Sequence, residues 1–128
     1  MMTRPNCPTE EQEQRMVMQW AAMAEGKHPE LRMLHHIPNG GARSARTGAM
    51  LKAQGVKKGV PDLCLPVPCG GYHGLYIELK RVSGGHVSAE QAEMLNALAA
   101  YGYKARICRG AEEAINTIRD YLREEERQ

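Results

Sequence analysis

Asp62, Glu78 and Lys80 are the residues of this chain whose types and spacing are best suited to chemistry. They lie in two apolar runs, residues 61–65 and 75–81, separated by the turn-rich Pro66-Val67-Pro68-Cys69-Gly70-Gly71. That pattern predicts two antiparallel strands. With the turn centred on Gly70, Leu65 falls opposite Leu75, Leu63 opposite Ile77, and Asp62 opposite Glu78. Directly opposed residues have Cβ atoms about 4.5–5.5 Å apart, so the two carboxylates share one small space. Strand alternation turns Glu78 and Lys80 to one face and Ile77 and Leu79 to the core. Pro66 and Pro68 could shift this register or impose a bulge.

Two carboxylates so close repel one another unless positive charge lies between them. A hard divalent cation, Mg²⁺ or Mn²⁺, fits two carboxylates together with waters and phosphate oxygens. It would acidify water and neutralise charge building on a phosphodiester, while Lys80 holds the attacking water or steadies that charge. The competing interpretation is a Glu78–Lys80 surface ion pair, with Asp62 as a turn residue.

Ser88-Ala89-Glu90-Gln91 has the pattern of a helix capping box. Gln91 stands one and two turns before Leu95 and Leu98 on one helix face, which turns its amide inward. A buried amide needs partners, which a metal-bound water or a phosphate edge would supply; the alternative is a capping or packing amide. Thr9-Glu10-Glu11-Gln12 repeats the capping pattern at a first helix. There Glu10, Gln14, Val17, Ala21 and Ala24 form one stripe, so Glu10 either reaches the site or complements the helix dipole.

The elements that must position these groups follow from periodicity and punctuation. Helices are expected at residues 10–25, 45–54, 89–101 and 111–125, and strands at 33–37, 61–65, 75–81 and 103–108. The order points to an α/β fold, a mixed central sheet flanked by helices. The chain has 128 residues, 42% hydrophobic and 25% charged. It is expected to form one domain over residues 8–123 with short tails, without a signal or membrane segment, and to be cytoplasmic.

Net charge is only +2, but residues 31–61 carry Arg32, Arg43, Arg46, Lys52, Lys57 and Lys58 and no acid. This basic stretch is either a phosphate contact or a solvated surface. Cys7, Cys64, Cys69 and Cys108 are expected to be reduced thiols. Cys64, Cys69 and His73 lack the paired spacing of a zinc site. His35 and His36 face opposite ways on a strand, so only one could approach the carboxylates.

Gly59-Val60-Pro61-Asp62-Leu63, Ile77-Glu78-Leu79-Lys80 and Ser88-Ala89-Glu90-Gln91 together resemble the PD-(D/E)xK nuclease pattern. More narrowly the chain resembles the VRR-NUC (virus-type replication-repair nuclease) family. Pro38-Asn39-Gly40-Gly41, Gln54-Gly55-Val56-Lys57-Lys58 and Gly102-Tyr103 also fit that family.

The resemblance implies a PD-(D/E)xK nuclease-like core and a Mg²⁺- or Mn²⁺-dependent endonuclease. Asp62, Glu78 and the Leu79 backbone carbonyl would be metal ligands, Lys80 the catalytic lysine and Gln91 the helix-borne active-site glutamine. Glu10 best matches the N-terminal helix glutamate, with Glu11 and Glu13 nearby. Small stand-alone members resemble homodimeric Holliday-junction resolvases of phages and prophages.

The expected partner is therefore branched DNA bound by a homodimer, without a nucleotide cofactor. Arg43, Arg46, Lys52, Lys57 and Lys58 would touch phosphates. Two alternatives remain, a sequence-specific restriction-type endonuclease and a non-catalytic DNA-binding protein on the same fold.

Overall fold

A computed structural model describes residues 7–38 and 44–126 of the chain. Three helices begin at side-chain caps that the sequence encodes. Thr9 opens α1 (Glu10–Ala24) by accepting the Gln12 N–H at 3.1 Å, and Gln12 returns the bond to the Thr9 N–H at 2.8 Å. Ser44 caps α2 (Ala45–Ala53) through the Thr47 N–H. Ser88 and Gln91 form the second capping box at α3 (Ala89–Ala100). Each such cap contributes about 1 kcal/mol to its helix. The last helix, α4, spans Ala111–Glu126.

Four strands, β1 (His35–His36), β2 (Leu63–Leu65), β3 (Leu75–Lys80) and β4 (Lys104–Arg109), form one sheet in the order β1-β2-β3-β4. The first two pairings are antiparallel and the last is parallel. A parallel return needs a crossover, and α3 supplies it. The sheet is mixed, and the expected α/β architecture is what the chain adopts.

Leu63, Leu65, Leu75, Ile77, Leu79 and Cys108 form one buried sheet face. Val17 and Ala21 of α1 and Ala114, Ile118, Tyr121 and Leu122 of α4 close over it. Burying each of the larger apolar side chains contributes about 1.5–3 kcal/mol. Tyr121 also donates its hydroxyl to the Val67 carbonyl, which satisfies a polar atom inside this layer. On the opposite face α3 packs beside β4.

Two expectations need correction. The strand expected at 33–37 is only two residues long, because Pro29–Met33 winds into a 3-10 turn. Leu31 and Leu34 both enter the core, and their three-residue spacing suits a 3-10 turn rather than strand alternation. The second strand begins at Leu63, so Asp62 lies just outside the ladder. Asn39, Gly40, Gly41 and Arg43 fall outside the described residues. Among the described residues no helix is long and apolar enough to cross a membrane.

Candidate active site

The β2–β3 register is Leu63 with Ile77, Cys64 with Tyr76 and Leu65 with Leu75, as the turn residues predict. Extending that ladder by one pair brings Asp62 to Glu78. Two contacts hold the Asp62 backbone carbonyl at the sheet edge, from the Ile37 N–H at 2.7 Å and from His36 Nδ1 at 2.9 Å. The Asp62 side chain then turns toward β3, where Oδ2 accepts the Leu79 N–H at 2.8 Å. His36 is thereby an anchor for Asp62, whereas His35 is paired across the sheet with Cys64.

Glu78 and Lys80 share the face opposite the main core, yet both are buried, at 2% and 6% exposure. A strand-surface ion pair would be exposed. This one is enclosed, with Lys80 Nζ 3.5 Å from Glu78 Oε2. Gln91 donates through Nε2 to the same Glu78 oxygen at 3.0 Å. The other oxygen, Oε1, is buried and receives no hydrogen bond from a donor among the described residues.

Burial, and then the charge and hydrogen bond of neighbouring Asp62, push the Glu78 carboxyl up to about 8, with Lys80 offsetting part of the rise. A carboxylate this close to a second one and deprived of water favours its neutral form unless a cation arrives.

The α3 end of the site is fixed by backbone packing. Gly59 has φ +86°, and a methyl group there would lie 2.5 Å from the Glu90 carbonyl oxygen and 3.0 Å from the Gln91 nitrogen. Only glycine permits that approach. The loop that delivers Asp62 therefore rests directly on the helix turn that delivers Gln91. Gln91 serves as the capping amide, its Oε1 accepting the Ser88 N–H at 2.9 Å, while its Nε2 donates to Glu78.

With this geometry in place, similarity to known proteins becomes informative. A family model described as the VRR-NUC domain matches residues 3–112. A solved structure titled "VRR_NUC domain protein" superposes with a TM-score of 0.79 at 33% identity, covering 91% of this chain and 90% of that one. The chain belongs to the VRR-NUC family. No curated protein sequence matches it.

The VRR-NUC assignment gives the chain a nuclease-type fold, and its remaining polar residues can be placed around the carboxylates. Glu10 is partly buried, and its Oε2 lies 3.6 Å from the position a methyl group would take on Gly85. That same position is 3.9 Å from Lys80 Cδ, so Glu10 stands on the Lys80 side of the site.

Glu13 is more buried still, at 3% exposure, and its Oε1 accepts the Ala111 N–H at 3.0 Å. It joins the first turns of α1 and α4, and sequence reasoning gave it no such role. Its position one turn before buried Val17 was the available signal. Arg109, which binds the loop after Lys80, was missed as well and left no local signal.

The basic residues sit apart from the core. No residue of α2 is buried, and Arg46 and Lys52 are exposed on it. Lys57 and Lys58 are exposed in the loop leading to Gly59, which brings them near the first turn of α3. Among the described residues none of the four cysteines forms a disulfide. Cys69 lies in the main core, while Cys64 is paired with Tyr76 on the Glu78 face, so the two thiols do not converge. Burial pushes the Cys64 thiol up and the Tyr76 hydroxyl up to about 12.

Among the described residues no three His, Cys, Asp or Glu side chains converge as a metal cluster. A cavity of about 310 Å³ lined by Trp20, Ala24, Lys27, His28, Arg119 and Arg123 is built on the end of α1, the residues that follow it and α4. None of the carboxylate-site residues lines it.

Proposed function

We propose that the protein is a Mg²⁺- or Mn²⁺-dependent DNA endonuclease that hydrolyses phosphodiester bonds in branched DNA, such as four-way Holliday junctions, as a homodimer. The observation that carries this reading is the buried Glu78 carboxyl crowded against Asp62, with Oε1 receiving no hydrogen bond from a donor among the described residues. An orphaned acceptor next to a second carboxylate suits a hard cation, which supplies the missing positive charge.

Asp62, Glu78 and the Leu79 carbonyl would hold the cation. When bound, it polarises water and offsets negative charge on the scissile phosphate. Lys80, whose Nζ lies 3.5 Å from Glu78 Oε2, presents an ammonium where negative charge develops on the phosphate. Gln91 fixes the Glu78 carboxylate through one oxygen. Glu10 adds a third carboxylate on the Lys80 side and orients solvent there. Arg46, Lys52, Lys57 and Lys58, with Arg43, contact the DNA backbone, where contacts position rather than read sequence.

Dimerisation follows from the reaction. One site cuts one strand, while resolving a four-way junction needs two symmetric cuts, and a two-fold dimer provides both. The test compares a four-way junction with linear duplex of the same sequence in Mg²⁺, Mn²⁺ or EDTA, with mass measured by light scattering on the same sample. Paired, chelation-sensitive cuts at the branch by a dimer support the proposal. Cutting confined to one short duplex sequence would replace it with a restriction-type activity. Tight, salt-sensitive binding without cleavage in any metal would replace it with a non-catalytic binder.

A further inference from the structure

Between Lys80 and the Ser88 cap runs a strap, residues 81–87, that no nuclease motif includes. Its ends carry the two groups facing Glu78: Lys80 precedes it and the Gln91 turn follows it. Gly84 and Gly85 both have left-handed backbone, with φ +80° and +69°. Folded this way, the strap brings Gly85 against the stem of Lys80 and the carboxylate of Glu10.

Arg109 holds it there. Lys80 and Arg109 are ladder partners in the parallel β3–β4 pair. The Arg109 guanidinium reaches over the strap, and Nη1 donates to the Gly84 carbonyl at 2.8 Å. The carbonyls of Arg81 and Gly85 lie at 3.4 Å and 3.5 Å, longer and weaker contacts around the same fork. Three carbonyls converging on one guanidinium need the backbone reversal that the two glycines allow. Elsewhere the strap is tied down by Arg81, whose Nε donates to the Pro8 carbonyl at 3.2 Å.

The residues after Arg109 extend the connection. Gly110 donates its N–H to the Lys80 carbonyl at 2.9 Å, and Ala111 donates to Glu13, one turn after Glu10. The β4–α4 junction thus gathers the Lys80 strand, the strap and α1.

We infer that Arg109 is a positioning residue: by clamping strap 81–87 it fixes the Lys80 ammonium and the Glu10 carboxylate relative to the carboxylate pair. This inference rests on the proposed nuclease reading. Its guanidinium is engaged with backbone rather than aimed at substrate, so it acts through geometry. Small misplacements of reacting groups carry a large rate penalty.

The experiment compares Arg109→Ala, Arg109→Lys and Gly84→Ala with the unmodified protein. Arg106→Ala, on the same strand but the opposite face, controls for the removal of charge. Amide hydrogen exchange of residues 82–87, thermal stability, and kcat and KM for cleavage are read on each.

The expected result for Arg109→Ala is faster exchange in the strap with little change in melting temperature. Its kcat falls by about tenfold to a hundredfold while KM stays within about threefold. Arg109→Lys is intermediate, because one ammonium cannot span three carbonyls. Gly84→Ala reproduces the loss with Arg109 intact.

Unchanged strap exchange overturns the inference, as does faster exchange with kcat preserved. A raised KM at constant kcat overturns it too, and makes Arg109 a DNA contact. If the unmodified protein cuts no DNA, the nuclease reading fails and strap exchange alone decides whether Arg109 is the clamp.

Discussion

Gln91 donates its side-chain N–H to Glu78 at 3.0 Å while its side-chain oxygen accepts the Ser88 N–H at 2.9 Å. One amide thus starts a helix and orients a buried carboxylate. The two functions separate by substitution. Gln91→Glu keeps an acceptor for Ser88 but sets a further carboxylate, besides Asp62, against Glu78, so the cap survives and cleavage falls at least about tenfold. Gln91→Ala removes both partners and also loses about 1 kcal/mol of stability. Urea unfolding beside a cleavage assay on both variants checks this; equal behaviour would contradict it.

Glu78 makes stability depend on pH in a defined direction. Its carboxyl holds a proton up to about 8 in the folded chain, against an ordinary value of 4.5. The folded state therefore binds more protons than the unfolded state between those values, and stability from this group falls as pH rises through them. Below the ordinary value the contribution is complete, and above about 8 it is gone. In EDTA, Glu78→Gln should remove this slope and gain on the unmodified protein between about pH 5 and 8.5. Parallel unfolding profiles for the two proteins would count against it.

Gly59 tests how firmly the Asp62 loop rests on α3. A methyl group there would overlap the Glu90 carbonyl and also occupy left-handed backbone. Gly59→Ala should cost about 1–3 kcal/mol, measured by urea unfolding. Gly55→Ala, with φ +103° but no atom within 4 Å, isolates the backbone component and should cost less.

The exposed cations should act on affinity alone. Replacing Lys57 and Lys58 together with alanine is expected to weaken binding uniformly across sequences. The slope of log affinity against log salt should fall by about 0.9 for each phosphate that is no longer neutralised. Arg46→Ala with Lys52→Ala on α2 should do the same. A change in the cleaved sequence would indicate base reading instead.

The legible parts of the fold were those in which local and tertiary preferences agree. The two capping boxes, the Gly70 turn and the alternating apolar residues of the paired strands each specify one geometry. The Leu63–Ile77 register follows from them, as does the meeting of Asp62 with Glu78. The 3-10 turn at Pro29–Met33 was not legible, because a short apolar run fits a strand or a tight turn until its neighbours bury it.

Burial of the Glu78 face was also beyond local pattern. Alternation predicts which residues share a face but not that α3 encloses it. The contacts of Glu13 and Arg109 bridge distant segments, 98 and 25 residues apart. Nothing in their immediate sequence encodes those partners.

The most direct measurement is single-turnover cleavage of a four-way junction by the unmodified protein, Asp62→Asn and Glu78→Gln, in Mg²⁺ and after EDTA. Both variants keep the size of the original side chain, and asparagine retains an acceptor for the Leu79 N–H. A metal-dependent carboxylate centre predicts that the unmodified protein cuts only with the cation. Each variant should lose at least about a hundredfold in rate while remaining folded. Cleavage that survives chelation, or is undiminished in either variant, would contradict it.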